Sequence, residues 1–204
     1  YLNFWPQGAI ASQVRALDYG VVDGKREVRE AWHADIPGGV IGPATVSADG
    51  KTVYAFSRIG KLVALQAQTG QTKWTYDYGD PGFATLTATP DGHIIPTGPL
   101  CGPVTMLADR GDRAEKVWSR TDLKTASLGA LTNSGTAWTV VRTEDDGLAL
   151  IEVSAADGKT LRTLPLPEAK GFTTGVAVSP KGQVAVATNI GKVYFFDSKE
   201  QIGH

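Results

Sequence analysis

The stretch GKLVALQAQTGQTKWTY, residues 60–76, decides how the rest of the chain is read. An apolar run, LVALQA, enters a small-residue turn, QTGQ, and a second run, TKWTYD, leaves it. Two short runs about a Thr-Gly turn predict an antiparallel hairpin. In the second run Lys73 and Thr75 fall on one face and Trp74 on the other, the alternation of an outer strand with one covered side. Upstream, VIGPATVS, the turn ADGK, the run TVYAF and the loop SRIGK add two more strands. TVYAF is apolar on both faces, so both are expected to be covered.

The unit repeats. Turns of one type recur at Ser47–Lys51, Thr89–His93, Thr132–Thr136 and Ser179–Gln183, with glycines at Gly50, Gly92, Gly135 and Gly182. Trp32, Trp74 and Trp118 keep the same beat, and so do Gly60, Gly102, Gly147 and Gly191. Three independent markers share one period of about 42–47 residues, the length of a four-stranded blade. No sustained apolar pattern of helical period competes. The fold class is therefore all-β: a β-propeller of four-stranded antiparallel blades with four to five repeat units visible. Complete units are expected at 36–78, 79–121 and 122–167. Residues 1–35 supply only later strands, and 168–204 supply first, second and third strands. That inventory points to part of a seven- or eight-bladed ring; a compact ring of four or five blades is the alternative. The innermost strands, rich in Gly, Ala and Thr, are expected to line a central channel.

ALQAQTGQTKW, Ala64 to Trp74, resembles the repeat of the pyrroloquinoline-quinone (PQQ) type propellers, whose motif runs Ala-x-Asp-x-x-Thr-Gly-x-x-x-Trp. Ala64, Thr69, Gly70 and Trp74 fit, and Gln66 stands where the Asp is usual. The other units keep parts of it: Ala16, Asp18, Gly24 and Trp32 around an expanded turn; Asp109, Gly111 and Trp118; Asp157 and Gly158 without a Trp; and Asp197. The resemblance implies that Trp32, Trp74 and Trp118 dock one blade on the next and that Gly70 supplies the turn. It also implies an extracytoplasmic setting, in the periplasm or at the cell surface, as for the scaffold lipoprotein of outer-membrane barrel assembly or the sensor domains of some bacterial kinases. Trp5 and Trp138 fall outside this register; Trp138 is read as core.

The 20 basic and 21 acidic residues nearly cancel, and no basic cluster marks a nucleic-acid surface. No apolar run reaches the length of a membrane span. The chain starts at Tyr1 without a signal-peptide pattern, so a product whose targeting segment has been removed is expected. One cysteine, Cys101, excludes an internal disulfide and a Cys-based zinc cluster.

Catalytic signatures are missing: there is no GxSxG, HExxH or CxxC, and the two DGKT stretches lack the leading Gly of a phosphate loop. PQQ enzymes of the resembled family need a calcium site, a catalytic aspartate and often a vicinal cysteine pair. This chain has no Cys-Cys, and its inner strands offer no carboxylate, so neither PQQ nor calcium is supported by the residues. The expectation is a non-catalytic scaffold, protein-interaction or ligand-sensing domain; the alternative is an enzyme of the calcium-dependent lactonase or quinoprotein dehydrogenase type. A ligand, a protein or peptide segment or a small molecule, is expected at the channel mouth, where second-to-third-strand loops meet the blade-to-blade links. Those loops carry Arg58, Cys101, Arg142 and Asn189. The links add Asp35, Asp80, Asp122 and Lys170.

Overall fold

The computed structural model describes residues 1–197 except 7, 41, 80, 81, 83, 99–101 and 133. Cys101, Asp80 and His204 lie outside the described residues. Among those described, strands form five antiparallel sheets and no helix occurs. The first sheet pairs β1 (Leu2–Phe4), β2 (Ala11–Val22) and β3 (Lys25–Pro37) in that order. The second pairs β4 (Thr45–Val46), β5 (Thr52–Phe56), β6 (Lys61–Gln66) and β7 (Thr72–Asp77). The third holds β8 (Thr85–Ala88), β9 (His93–Thr97), β10 (Pro103–Asp109) and β11 (Ala114–Lys124). The fourth holds β12 (Ala130–Leu131), β13 (Thr136–Arg142), β14 (Leu148–Ser154) and β15 (Thr160–Leu166). The fifth has β16 (Thr173–Val178), β17 (Val184–Thr188) and β18 (Val193–Phe196). This is the serial-meander arrangement of a β-propeller.

The period-2 alternation of the strands dictates the stacking. In β5, Val53 and Ala55 pack with Val14 and Ile36 of the first sheet, whereas Tyr54 and Phe56 pack with Leu86 and Ile94 of the third. Ile95 and Met106 then meet Ala137 and Ile151 in the next seam, and Trp138 and Leu150 meet Val184 and Val186 in the last. Among the described residues, four apolar clusters thus join five sheets in series. The fifth sheet turns Val193 (72% exposed) and Phe195 (64%) outward, although Leu62 and Ala64, at the matching places after the shared Gly-Lys, are 0% exposed in the second.

Two expectations change in detail. VIGPATVS and SLGALTNS read as full inner strands, but among their described residues only Thr45–Val46 and Ala130–Leu131 are strand. Each stretch carries a glycine where neighbouring backbones come close. A Cβ at Gly42 would sit 2.4 Å from the Ala84 carbonyl oxygen, and one at Gly129 2.7 Å from that of Trp138. Pro43 also has no N–H to give a ladder.

The expanded turn of the first unit is regular structure. Strands β2 and β3 stay paired from Leu17↔Glu30 to Val22↔Lys25, closing on Asp23 (φ 51°) and Gly24 (φ 74°). Two consecutive positive φ values at Asp-Gly make the type I′ turn that matches strand twist. Past Ala16 every residue of β2 is exposed. The hairpin is therefore an arm of about 17 Å at 3.4 Å per residue.

Candidate functional site

Among the described residues, the loops joining second to third strands emerge at one end of the stack, because antiparallel strands alternate their ends. In the first sheet that loop is 5–10, and in the second it is 57–60. The link leaving β3 runs beneath both. Ser57 Oγ donates to the Pro37 carbonyl at 2.6 Å, and the Arg58 N–H donates to the Gly39 carbonyl at 2.8 Å. Ile59 lies against Gly38, and the Trp5 ring lies against Gly39; any Cβ at Gly38 would come within 2.6 Å of Ile59. The guanidinium of Arg58 stands over the Trp5 ring, 5.7 Å from its centroid, in cation–π range. The Trp5 indole is braced by a 2.8 Å bond from Nε1 to the Ala9 carbonyl.

The fifth sheet repeats the plan. The Asn189 N–H donates to the Phe172 carbonyl at 3.4 Å, and the Asn189 side chain lies against Gly171. In the fourth sheet Arg142 ends β13 and reaches Asp146 at 3.7 Å, an exposed pair that adds little stability. Arg58, Arg142 and Asn189 thus occupy one end of the stack, each tied to its own loop or link. Exposed Trp5, Ile10, Ile59, Phe172 and Ile190 belong to the same end. Trp5, outside the Trp register of the repeat, is not among the expected site residues. The signal was present: counting Leu2–Phe4 as a second strand puts Trp5 in the loop equivalent to that of Arg58.

Three of the four seams are closed at the rim by indoles. Trp32 Nε1 donates to the Ala67 carbonyl at 2.9 Å, and its ring covers Gly70. Trp118 Nε1 donates to the Ala155 carbonyl at 2.7 Å, over Gly158. Gly70 has φ 73°, and a Cβ there would lie 2.5 Å from the Trp32 ring. Trp74 Nε1 instead donates to Asp109 Oδ1 at 2.9 Å, while Tyr54 OH donates to Asp109 Oδ2 at 2.7 Å. Burial, reinforced by the Asp109 carboxylate, pushes the Tyr54 phenol well above its ordinary pKa. In the fourth sheet Arg162 takes the Trp position, four residues after Gly158. Its Nε donates to Glu152 Oε2 at 2.6 Å, and its guanidinium covers the Trp138 ring at 4.7 Å.

The opposite end carries first-to-second-strand turns. A cleft of about 330 Å³ between the second and third sheets is lined by Ser47, Asp49, Thr52, Lys73, Thr89 and Asp91. Two of its carboxylates are held inside their own turns: Ser47 Oγ donates to Asp49 Oδ1 at 2.6 Å, and Thr89 Oγ1 donates to Asp91. These hydroxyl bonds hold both carboxyls below their ordinary pKa. His93 Nδ1 lies 2.9 Å from Asp91 Oδ2, and His33 Nδ1 lies 2.7 Å from Glu30 Oε1. A larger cleft, about 680 Å³, lies between the turns of the fourth and fifth sheets beside Leu131, Thr132 and Val178. Among the described residues, no group of three or more His, Cys, Asp or Glu is placed to hold a metal ion.

Comparison with known proteins extends this description. The chain is 36% identical over 203 residues to Protein Rv3035 of Mycobacterium tuberculosis, covering 96% of this chain and 48% of that protein. It therefore spans about half the length of the curated relative it matches. No protein-family model matches the sequence. Among solved structures, BamB from Moraxella catarrhalis superposes with a TM-score of 0.66 at 17% identity, over 93% of this chain and 64% of its own. The β-propeller domain of Cps50 (Swd1) from Myceliophteria thermophila gives 0.65 at 11% identity, over 91% and 65%. At such identities the likeness speaks for the fold, and the fold is that of a β-propeller.

Proposed function

We propose that this chain is a non-catalytic propeller module of the PQQ-like kind, acting outside the cytoplasm as a protein- or peptide-binding scaffold. One observation carries the reading. A single end of the stack gathers exposed Trp5, Ile59, Phe172 and Ile190 beside Arg58 and Arg142. Aromatic residues and Arg are the side chains enriched where proteins dock, and the two arginines suit an acidic segment. Arg58, Arg142 and Asn189 are the contact residues of this reading, with Cys101 beside them in sequence register. The match of ALQAQTGQTKW to the PQQ-type repeat supports the family and the extracytoplasmic setting. The indole bonds support Trp32, Trp74 and Trp118, with Gly70, as blade-docking residues. In the same reading the chain divides at 36–78, 79–121 and 122–167, with partial blades 1–35 and 168–204. The outward-facing Val193 and Phe195 and the half-length match support further blades.

The test is selection of peptides on the immobilised chain, followed by hydrogen-exchange footprinting of the complex. Selected peptides are expected to be acidic and aromatic, to protect 5–10, 57–60, 142–147 and 189–191, and to lose at least tenfold in affinity with Arg58→Ala/Arg142→Ala. Protection confined to the opposite end would overturn the assignment. A melting-temperature rise of several degrees with micromolar calcium or PQQ would favour the enzymatic alternative.

A further inference from the structure

The arm formed by β2 and β3 is not needed by any seam. The four apolar clusters draw on β2 and β3 at Val14, Trp32, Ala34 and Ile36, all at its base. Beyond the base, Leu17, Tyr19 (66% exposed), Val21 and Val28 (63%) share one face by the register Tyr19↔Val28. A two-stranded hairpin carrying such a face alone in water is marginal. Its outer strand β3 is the end of its sheet, so one side of its backbone has no ladder among the described residues. The turn fixes which groups face outward. In a two-residue hairpin Val22 and Lys25 form a hydrogen-bonded pair, so the alternate residues Arg26, Val28 and Glu30 aim N–H and C=O at the free edge.

Exposed edges are usually blunted by charged side chains, Lys above all, that disfavour pairing with another edge. Here the charges run Arg26, Glu27, Val28, Arg29, Glu30. Laid antiparallel against itself about Val28, this run sets Arg26 against Glu30 and Glu27 against Arg29, and each pair recurs on the other side of the centre. Every cross-strand pair is then of opposite charge, and Val28 meets Val28. Shifting the register by two residues brings Glu27 against Glu27 or Arg29 against Arg29, and leaves Arg26 or Glu30 facing Val28. Within one copy Glu27 and Arg29 already lie 2.7 Å apart on one face, so the paired edges would form a closed square of alternating charges.

We propose that β3 is a self-association edge: a second copy of this chain pairs its β3 antiparallel about a two-fold axis at Val28. The product is a four-stranded sheet of two arms, with Tyr19, Val21 and Val28 of both copies on one face. The contact is isologous, so it closes at the dimer rather than propagating. It stands on the arm alone and is independent of the peptide-binding reading.

Sedimentation equilibrium from about 1 µM to about 1 mM reads it, a span that covers weak to tight dimers. The unaltered chain is expected to dimerise within that range. Arg26→Glu/Arg29→Glu and Glu27→Arg/Glu30→Arg are each expected to dissociate at least tenfold more readily, because every cross-strand pair becomes repulsive. Mixed in equal amounts they are expected to restore a 1:1 dimer, because every pair becomes attractive again. Val28→Pro keeps the charges and deletes an outward N–H, a change edge strands tolerate; it is expected to be folded and monomeric by circular dichroism and sedimentation. A monomeric unaltered chain at 1 mM, undiminished dimer in Val28→Pro, or failure of the folded charge variants to complement each other would overturn the proposal.

Discussion

Asp109 accepts from Trp74 at one carboxylate oxygen, 2.9 Å away, while its other oxygen holds Tyr54 at 2.7 Å. Both donors belong to the second sheet and the acceptor to the third, so one carboxylate closes the seam where the Trp32 and Trp118 rims use a backbone carbonyl. Asp109→Ala leaves two buried donors without acceptors. A loss of about 3 kcal/mol is expected in urea unfolding, with Asp109→Asn losing less because its amide oxygen still accepts.

Gly70 and Gly50 separate strain from crowding. Both have positive φ, 73° and 71°, but a Cβ at Gly70 meets the Trp32 ring at 2.5 Å and one at Gly50 meets nothing. Gly50→Ala is expected to cost about 1 kcal/mol from backbone conformation alone. Gly70→Ala is expected to cost about 2–3 kcal/mol, because the indole must also move. Trp32 fluorescence is expected to shift only in Gly70→Ala.

Glu152 and Arg162 test whether a charged pair can replace an indole. The Glu152 side chain is 10% exposed and that of Arg162 31%. Glu152→Ala strands a half-buried guanidinium over Trp138, so a loss of about 2 kcal/mol is expected. The double change Glu152→Met/Arg162→Met is expected to lose less than the single one. A double-mutant cycle from chemical denaturation measures the coupling.

The acidic turns set the pH response. Ser47, Thr89, Thr143 and Ser154 hydroxyls lower the pKa of Asp49, Asp91, Asp145 and Asp157 below the ordinary 3.8. A carboxyl with a lowered folded pKa adds stability that is complete above its unfolded value and disappears as pH falls through the folded one. Melting temperature is therefore expected to fall below about pH 4. Replacing all four by Asn is expected to flatten that acid limb, read by calorimetry between pH 2 and pH 6.

Much of the fold was legible because blade packing is written in strand alternation. Val53 and Tyr54 already announce two buried faces, and the recurring Gly and Trp positions give the period. What escaped sequence reading depends on three-dimensional crowding or on irregular units. Nothing local says that Gly42 runs so close to the Ala84 carbonyl that a Cβ there would lie 2.4 Å from its oxygen. The first unit hid both the arm and Trp5, since its Asp18–Gly24 stretch imitates a turn while the hydrogen-bonded strands continue. The candidate site was legible only as loop positions. Arg58 could be placed at one end of the stack, but its stacking on Trp5 joins residues from two sheets and leaves no mark in either segment.

The division of each strand between two seams has a mechanical corollary. Val53 and Tyr54 are adjacent in the chain yet belong to different joints, so among the described residues each apolar cluster couples a sheet to its neighbours alone. Such a stack behaves as a linear array of nearest-neighbour springs. Loosening should start at the terminal sheets and travel inward one joint at a time, leaving the Leu62–Leu107 region the last to exchange its amide protons.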